Sequence, residues 1–190
     1  MPLTGIKASV CGFRCKQASS FGEKRMTLTL RDSMNLVADP GNLDNSVHEV
    51  FETMLGVQCR RDPIELGVGA EISEESVTAV VGFGGILSGA CVLRCGAPAA
   101  CRIAAHLAGF DLNIVDEIVK DAIGEICNML AGSWKTKVPD LAANCGLSVP
   151  AVITGRDYKL HVQAPEFRIC HTYAFDGVRF EMTIVCDGLQ

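Results

Sequence analysis

The sequence predicts an α+β domain in which helices cover one face of an antiparallel sheet. Three observations lead there. Apolar residues recur at helical spacing in VHEVFETML, in APAACRIAAHLAG and around DAIGEICNMLAG. Runs rich in β-branched residues, among them SVTAVVGF, ILSGACVLRC and VRFEMTIVC, partly alternate and are bounded by turn residues. The links between these runs are of hairpin length, which joins antiparallel neighbours, and helices gathered outside such a sheet pack on one face.

Composition sets the limits. The 190 residues suffice for one domain with a real core. Hydrophobic residues are 48% and charged residues 21%, as in soluble globular proteins. A net charge of −5 argues against a binder driven by nucleic-acid phosphates. No apolar run approaches a membrane span, and the patch in MPLTGIKASVCGFRCKQ is too short and broken for a signal peptide. The ten cysteines are scattered with no C-x-x-C pair, so a zinc ribbon is not indicated. Most replace Val or Ala in apolar patterns, as small buried hydrophobes do in a reducing cytosol. A cytoplasmic protein is expected.

Residues 1–43 are expected to be an extension, poorly ordered in its first half, with one strand-like run, MTLTLRD, and turn chemistry in ADPGNLDN. Met26 and Met34 are alternative starts. The folded domain is expected over 44–190. Its first helix is expected from Ser46, where Ser46 and Glu49 fit a capping box, to a stop at Gly56. Strands follow at IELGVGAEI, SVTAVVGF and ILSGACVLRC, and then a helix with Pro98 near its start and Gly109 at its end. The long helix is expected from a cap at Asn113 to about Lys137, since Pro139 ends it at or before Val138. PAVITG, YKLHVQ, EFRICHTYAF and VRFEMTIVC complete the strands. The order suggests two pseudo-repeats of a helix plus three strands. Matching Met54-Leu55 to Met129-Leu130 sets Ser46, Val50 and Thr53 opposite Asp121, Glu125 and Asn128, so the first copy lacks the acid and the amide.

The long helix carries the one polar constellation that asks for an explanation. Ile118, Ala122, Ile126, Met129 and Val115 are assigned to its apolar face at about 100° per residue. Asp121, Glu125 and Asn128 fall at i, i+4 and i+7 on another face, beside Gly124, Ala131 and Gly132. A solvated helix face is the plain alternative, because charged residues belong on surfaces. Against it, Asn is a mediocre helix former, and each glycine costs about 1 kcal/mol relative to alanine in a helix interior. Small residues beside a polar stripe fit a surface that another surface must approach. The four histidines show no metal spacing and are assigned to the surface. Asp157 reads as a turn residue, and Ser133 and Cys127 lack an evident base. Trp134 reads as core rather than contact.

DAIGEICNMLAG followed by VPAVITGRDYKL resembles the CheX branch of the CheC, CheX and FliY phosphatases of bacterial chemotaxis. Their signature is Asp or Ser, three residues, Glu, two residues, Asn, and a Pro some twenty residues later, here Asp121, Glu125, Asn128 and Pro150. GFGGILSGACVL resembles the family's Gly-rich central strands, and the resemblance spans about 44–187. Cys127 stands where Gly would be common. The resemblance implies hydrolysis of the aspartyl phosphate of a CheY-like response regulator. It makes Asn128 the residue that orients the attacking water and Glu125 the partner of the regulator's Lys. Asp121, Gly124 and Gly132 would then belong to the docking surface. No cofactor is expected on this chain alone, since Mg²⁺ would arrive with the phosphorylated regulator. A homodimer through sheet edges is also implied. The alternatives are a non-catalytic adaptor of the chemotaxis or flagellar switch apparatus, and a phosphatase serving a regulator outside chemotaxis.

Overall fold

The structure, a computed structural model, describes residues 35–63, 75–156, 158, 160 and 166–189. MTLTLRD, IELGVGAEI, most of YKLHVQ, Cys11, Cys15, Asp157 and His161 lie outside these residues, as does the expected disorder of the first half of the extension.

Helix α1 spans Pro40–Val50. Its cap is Asp39, whose carboxylate accepts from the Gly41 N–H at 2.9 Å, and Pro40 supplies a preset φ at the first helical position. The expected start at Ser46 is therefore corrected. Ser46 is buried inside the helix, and its hydroxyl donates to the Asn42 carbonyl. Val37 and Leu43 are fully buried in the core, so the domain includes residues assigned on sequence to the extension. A π-helical turn, Phe51–Leu55, continues α1, and Gly56 ends it at φ 68°. Helix α2, Ala97–Ala108, has Pro98 in its first turn and stops at Gly109 with φ 76°. The long helix α3 spans Glu117–Thr136. Its cap is Asp116 rather than Asn113, because the Asp116 carboxylate accepts from the Val119 N–H at 3.1 Å. A short helix α4, Pro139–Asn144, follows at the proline that ends α3.

Seven strands form one antiparallel sheet: β1 Arg60–Asp62, β2 Ser76–Gly85, β3 Leu87–Gly96, β4 Cys145–Leu147, β5 Ala151–Gly155, β6 Phe167–Phe175 and β7 Val178–Leu189. Their order is β1-β6-β7-β3-β2-β4, and β5 also pairs with β2. Setting β1, β2 and β3 equivalent to β5, β6 and β7 maps the order β1-β6-β7-β3-β2-β5 onto itself reversed. The expected repeat is thus a pseudo-twofold whose axis passes between β3 and β7.

Alternation places Val77, Ala79, Val81 and Phe83 of β2 on the helix side of the sheet, with Cys91, Leu93 and Cys95 of β3. The π turn seats Phe51 against Phe180, rings stacked at 4.7 Å, and against Phe175 edge-on at 5.2 Å. Trp134 of α3 is fully buried beside Phe83 at 5.1 Å, a core residue as expected. All eight described cysteines are free thiols, and all but Cys170 are buried.

One histidine departs from expectation. His171 is buried, and its Nδ1 lies 2.8 Å from Asp44 Oδ1, which also accepts from the fully buried Tyr173 hydroxyl at 2.7 Å. Arg61 pairs with the other Asp44 oxygen at 3.4 Å. The cluster ties α1 to β1 and β6. Burial penalises the Asp44 carboxylate, but its hydrogen bonds from Tyr173 and His171, with the charges of His171 and Arg61, hold its pKa below the ordinary value.

Candidate active site

Helix α3 lies on the sheet through Val119, Ile123, Ile126, Cys127, Leu130 and Trp134, each fully buried. The buried stripe is therefore turned from the one assigned on sequence. Ile118, counted there as core, is 51% exposed, while Ala122 and Met129 sit at the margin. At about 100° per residue, Asp121, Glu125 and Asn128 cluster about 160° from the centre of the buried face. Asp121 and Glu125 are exposed and Asn128 is half-buried. The rise per residue separates Glu125 from Asn128 by about 4.5 Å along the axis, so both tips can meet one small target. Among the described residues, no hydrogen bond or ion pair engages any of the three side chains. They stand on a helix anchored along its whole opposite face, which fixes their spacing.

The two glycines have different neighbours. A Cβ at Gly124 would stand 3.3 Å from Pro150 Cβ and 3.3 Å from Val152 Cγ2. The expectation that Gly124 is bare for an incoming partner is corrected: it is buried, and the surface it admits is this chain's own β5. Gly132 is half-buried, and its nearest such neighbour is Leu147 Cδ1 at 4.0 Å, so the face above it stays open. Pro150 is held by the residue before Val149. The Ser148 N–H donates to the Gly82 carbonyl at 2.9 Å, its hydroxyl oxygen accepts from the Gly82 N–H at 2.8 Å, and that hydroxyl donates to the Val149 carbonyl at 2.9 Å. Sequence patterning carried no signal for this brace, since a serine before Val-Pro reads as ordinary loop.

The first copy gives a contrast. A π turn holds one residue more than an α turn, so positions before it shift by one in the alignment. Leu43, Val47, Val50 and Phe51 then match Val119, Ile123, Ile126 and Cys127, all buried. Glu49, not Val50, falls opposite Glu125, which corrects the pairing taken from Met54-Leu55. The first copy has thus kept an acid, but Glu49 is engaged by Lys137 Nζ and by the Ser133 hydroxyl at 3.2 Å. The Lys137 hydrogen bond and charge hold its pKa down. Positions 52 and 53, opposite Asn128, are Glu and Thr, so the first copy has no amide at the matching position.

The stripe on α3 therefore presents two carboxylates and one amide, with Glu125 and Asn128 one turn apart, and none has a partner among the described residues. An ionised carboxylate only accepts hydrogen bonds and attracts cations, whereas an Asn amide both donates and accepts. This pair can hold a cationic side chain and orient a water one turn away. Among the described residues no group of His, Cys, Asp and Glu is arranged to hold a metal ion, and no helix is long and apolar enough to cross a membrane.

Comparison with known proteins agrees with this architecture. The family Chemotaxis phosphatase CheX matches residues 77–173, which include the whole stripe and Pro150. The CheY-P phosphatase CheX of Thermotoga maritima is 30% identical over 119 residues, covering 62% of this chain and 76% of that protein. The crystal structure of the chemotaxis protein CheX from Vibrio vulnificus has the same fold, with a TM-score of 0.65 at 19% identity over 79% of this chain and 97% of that one. A chain of the CheX-CheY-BeF3-Mg+2 complex from Borrelia burgdorferi matches at a TM-score of 0.57 and 20% identity, over 78% of this chain and 98% of that one. With a family match across half its length and a curated relative at this identity, the chain belongs to the CheX family of chemotaxis phosphatases.

Proposed function

We propose that this protein hydrolyses the aspartyl phosphate of a CheY-like receiver domain. The observation that carries the proposal is the Glu125-Asn128 pair, free of partners in the described fold and fixed on a buried helix. The Thermotoga relative, a CheY-P phosphatase, supports the substrate class. Phosphoryl transfer depends on positioning and charge stabilisation, so a water held in line needs little further chemistry from the protein. The Asn128 amide accepts a hydrogen bond from that water and donates to a phosphoryl oxygen or to the water itself. Glu125 pairs with the lysine beside the receiver's phosphoryl group and so sets the docking register. Asp121, one turn before Glu125, adds negative charge that favours a cationic rim on the partner. Mg²⁺ arrives with the phosphorylated receiver, a reading supported by the Borrelia complex, which contains CheX, CheY, beryllofluoride and Mg²⁺ together. Two copies pair through a sheet edge, where β1 and the β4-β5 side end the sheet among the described residues.

The test is phosphate release from a panel of phosphorylated receiver domains. Acceleration over each receiver's own hydrolysis, abolished in Asn128→Ala, is expected. Binding without acceleration for every receiver would instead assign an adaptor role.

A further inference from the structure

From the surroundings of the stripe we infer two apolar docking residues, Val149 and Ile118, which bracket it and set affinity for the receiver rather than the rate of hydrolysis. Val149 is 86% exposed, yet it is not on a loose loop. Ser148 before it is braced to Gly82 by two hydrogen bonds, and Pro150 after it packs at Gly124, one turn before Asn128. Ala151 then enters the sheet opposite Val80. A branched apolar side chain is thus held out into water by a fixed backbone, one residue before the proline that packs at Gly124 on the stripe's own helix. Ile118 stands 51% exposed on α3 itself, three residues before Asp121 and seven before Glu125, on the same side of the helix.

A rigid apolar group loses little entropy on binding, and covering it removes apolar surface from water. The chemistry of the occupant follows from what lies between the two residues. Asp121 and Glu125 call for a cationic site, and the flanks call for apolar contact. A receiver's phosphoryl pocket, with its lysine, meets the first demand, and apolar side chains flanking that pocket would meet the second. Because neither side chain can take part in proton or phosphoryl transfer, both act before the chemical step.

The inference rests on the phosphatase reading of α3, and the experiment separates the two. Val149→Thr, which keeps the shape, Val149→Ile, Val149→Ser, Ile118→Ser and the control Ile153→Ser are prepared in the full chain. Ile153 is exposed on the opposite face of the sheet, since it pairs with Thr78 rather than with the helix-side positions. Each is measured for kcat and KM with phosphorylated receivers, and for Kd with receivers carrying beryllofluoride and Mg²⁺. Val149→Ser and Ile118→Ser should each raise KM and Kd about 10-fold, the scale of one buried apolar side chain, with kcat held within two-fold. Val149→Thr should fall between, Val149→Ile should retain affinity, and Ile153→Ser should change neither. An unchanged KM and Kd, or a fall in kcat at unchanged Kd, would overturn the inference even with hydrolysis established. Weaker Kd in a protein without turnover would uphold the docking residues and remove the catalytic reading. Wild-type protein that neither binds nor hydrolyses any receiver would remove both.

Discussion

Replacing Gly132 with alanine should stabilise the domain, and the same change at Gly124 in the same helix should not. Both substitutions gain the same helix-propensity advantage, about 1 kcal/mol. They differ in what the new methyl meets. At position 132 the nearest atom is 4.0 Å away, an ordinary contact. At 124 the carbon would stand 3.3 Å from both Pro150 Cβ and Val152 Cγ2, so each must retreat by a few tenths of an ångström. Pro150 has little room to do so, because Ser148 is tied to Gly82 on one side and Ala151 pairs with Val80 on the other. Overpacking of this kind costs about 1–3 kcal/mol. The net for Gly124→Ala is then between about zero and 2 kcal/mol of destabilisation, against about 1 kcal/mol of gain for Gly132→Ala. In a chain of this size 1 kcal/mol moves Tm by about 2–4 °C. Urea denaturation with a shared m-value reads the difference directly. Equal stabilisation by the two substitutions would refute the packing assigned to Gly124.

The buried Asp44 cluster makes stability depend on acid. A folded pKa below the ordinary 3.8 gives stability that is present above that value and lost as pH falls through the folded value. Wild-type stability should therefore fall below about pH 4, and Asp44→Asn should flatten that slope and cost about 1–3 kcal/mol at neutral pH, since Tyr173 and His171 keep only a weaker acceptor; an unchanged acid slope would remove Asp44 as its source. Burial pushes the Cys59, Cys95 and Cys186 thiols up to about 12, so these three should resist alkylation at pH 8 until urea unfolds the chain, and labelling at a free thiol's rate in native protein would contradict their placement. Glu49→Gln should leave phosphatase turnover within a few-fold and stability within about 1 kcal/mol, as for an exposed ion pair; a loss of turnover in folded protein as deep as that of Asn128→Ala would place a second site on α1.

Much of the fold was legible because its signals are local. Alternation in SVTAVVGF and ILSGACVLRC marks two central strands, and Gly56 and Gly109 stop helices by adopting positive φ. The misreadings have physical causes. Asp39-Pro40 reads as turn chemistry, although Asp before Pro is equally a cap followed by a first helical residue. β1 is Arg-Arg-Asp, with no apolar alternation, because this edge strand is held by backbone pairing to β6 and by the ion pairs of Arg61 with Asp44 and of Asp62 with Arg179. The core stripe of α3 is turned because an aliphatic Ile118 reads as core by its residue type, whereas it is half-exposed and Cys127 and Trp134 are buried. Asp121, Glu125 and Asn128 were legible from spacing. The role of Gly124 was not, since its contact with Pro150 joins residues far apart in sequence. The π turn was invisible for the same reason, and with it the match of Glu49 to Glu125.

The most direct test of the central claim is single-turnover dephosphorylation by Asn128→Ala, run beside its binding to receiver carrying beryllofluoride and Mg²⁺. An amide that orients water matters only as the phosphoryl group departs. Turnover should fall by about 10²-fold or more, the scale of a reacting group losing its position, while Kd changes little. Glu125→Ala, measured alongside, should weaken both, because its proposed ion pair with the receiver would already exist in the bound complex. Asn128→Ala protein that dephosphorylates the receiver at the wild-type rate would contradict the assignment of α3 as the catalytic helix.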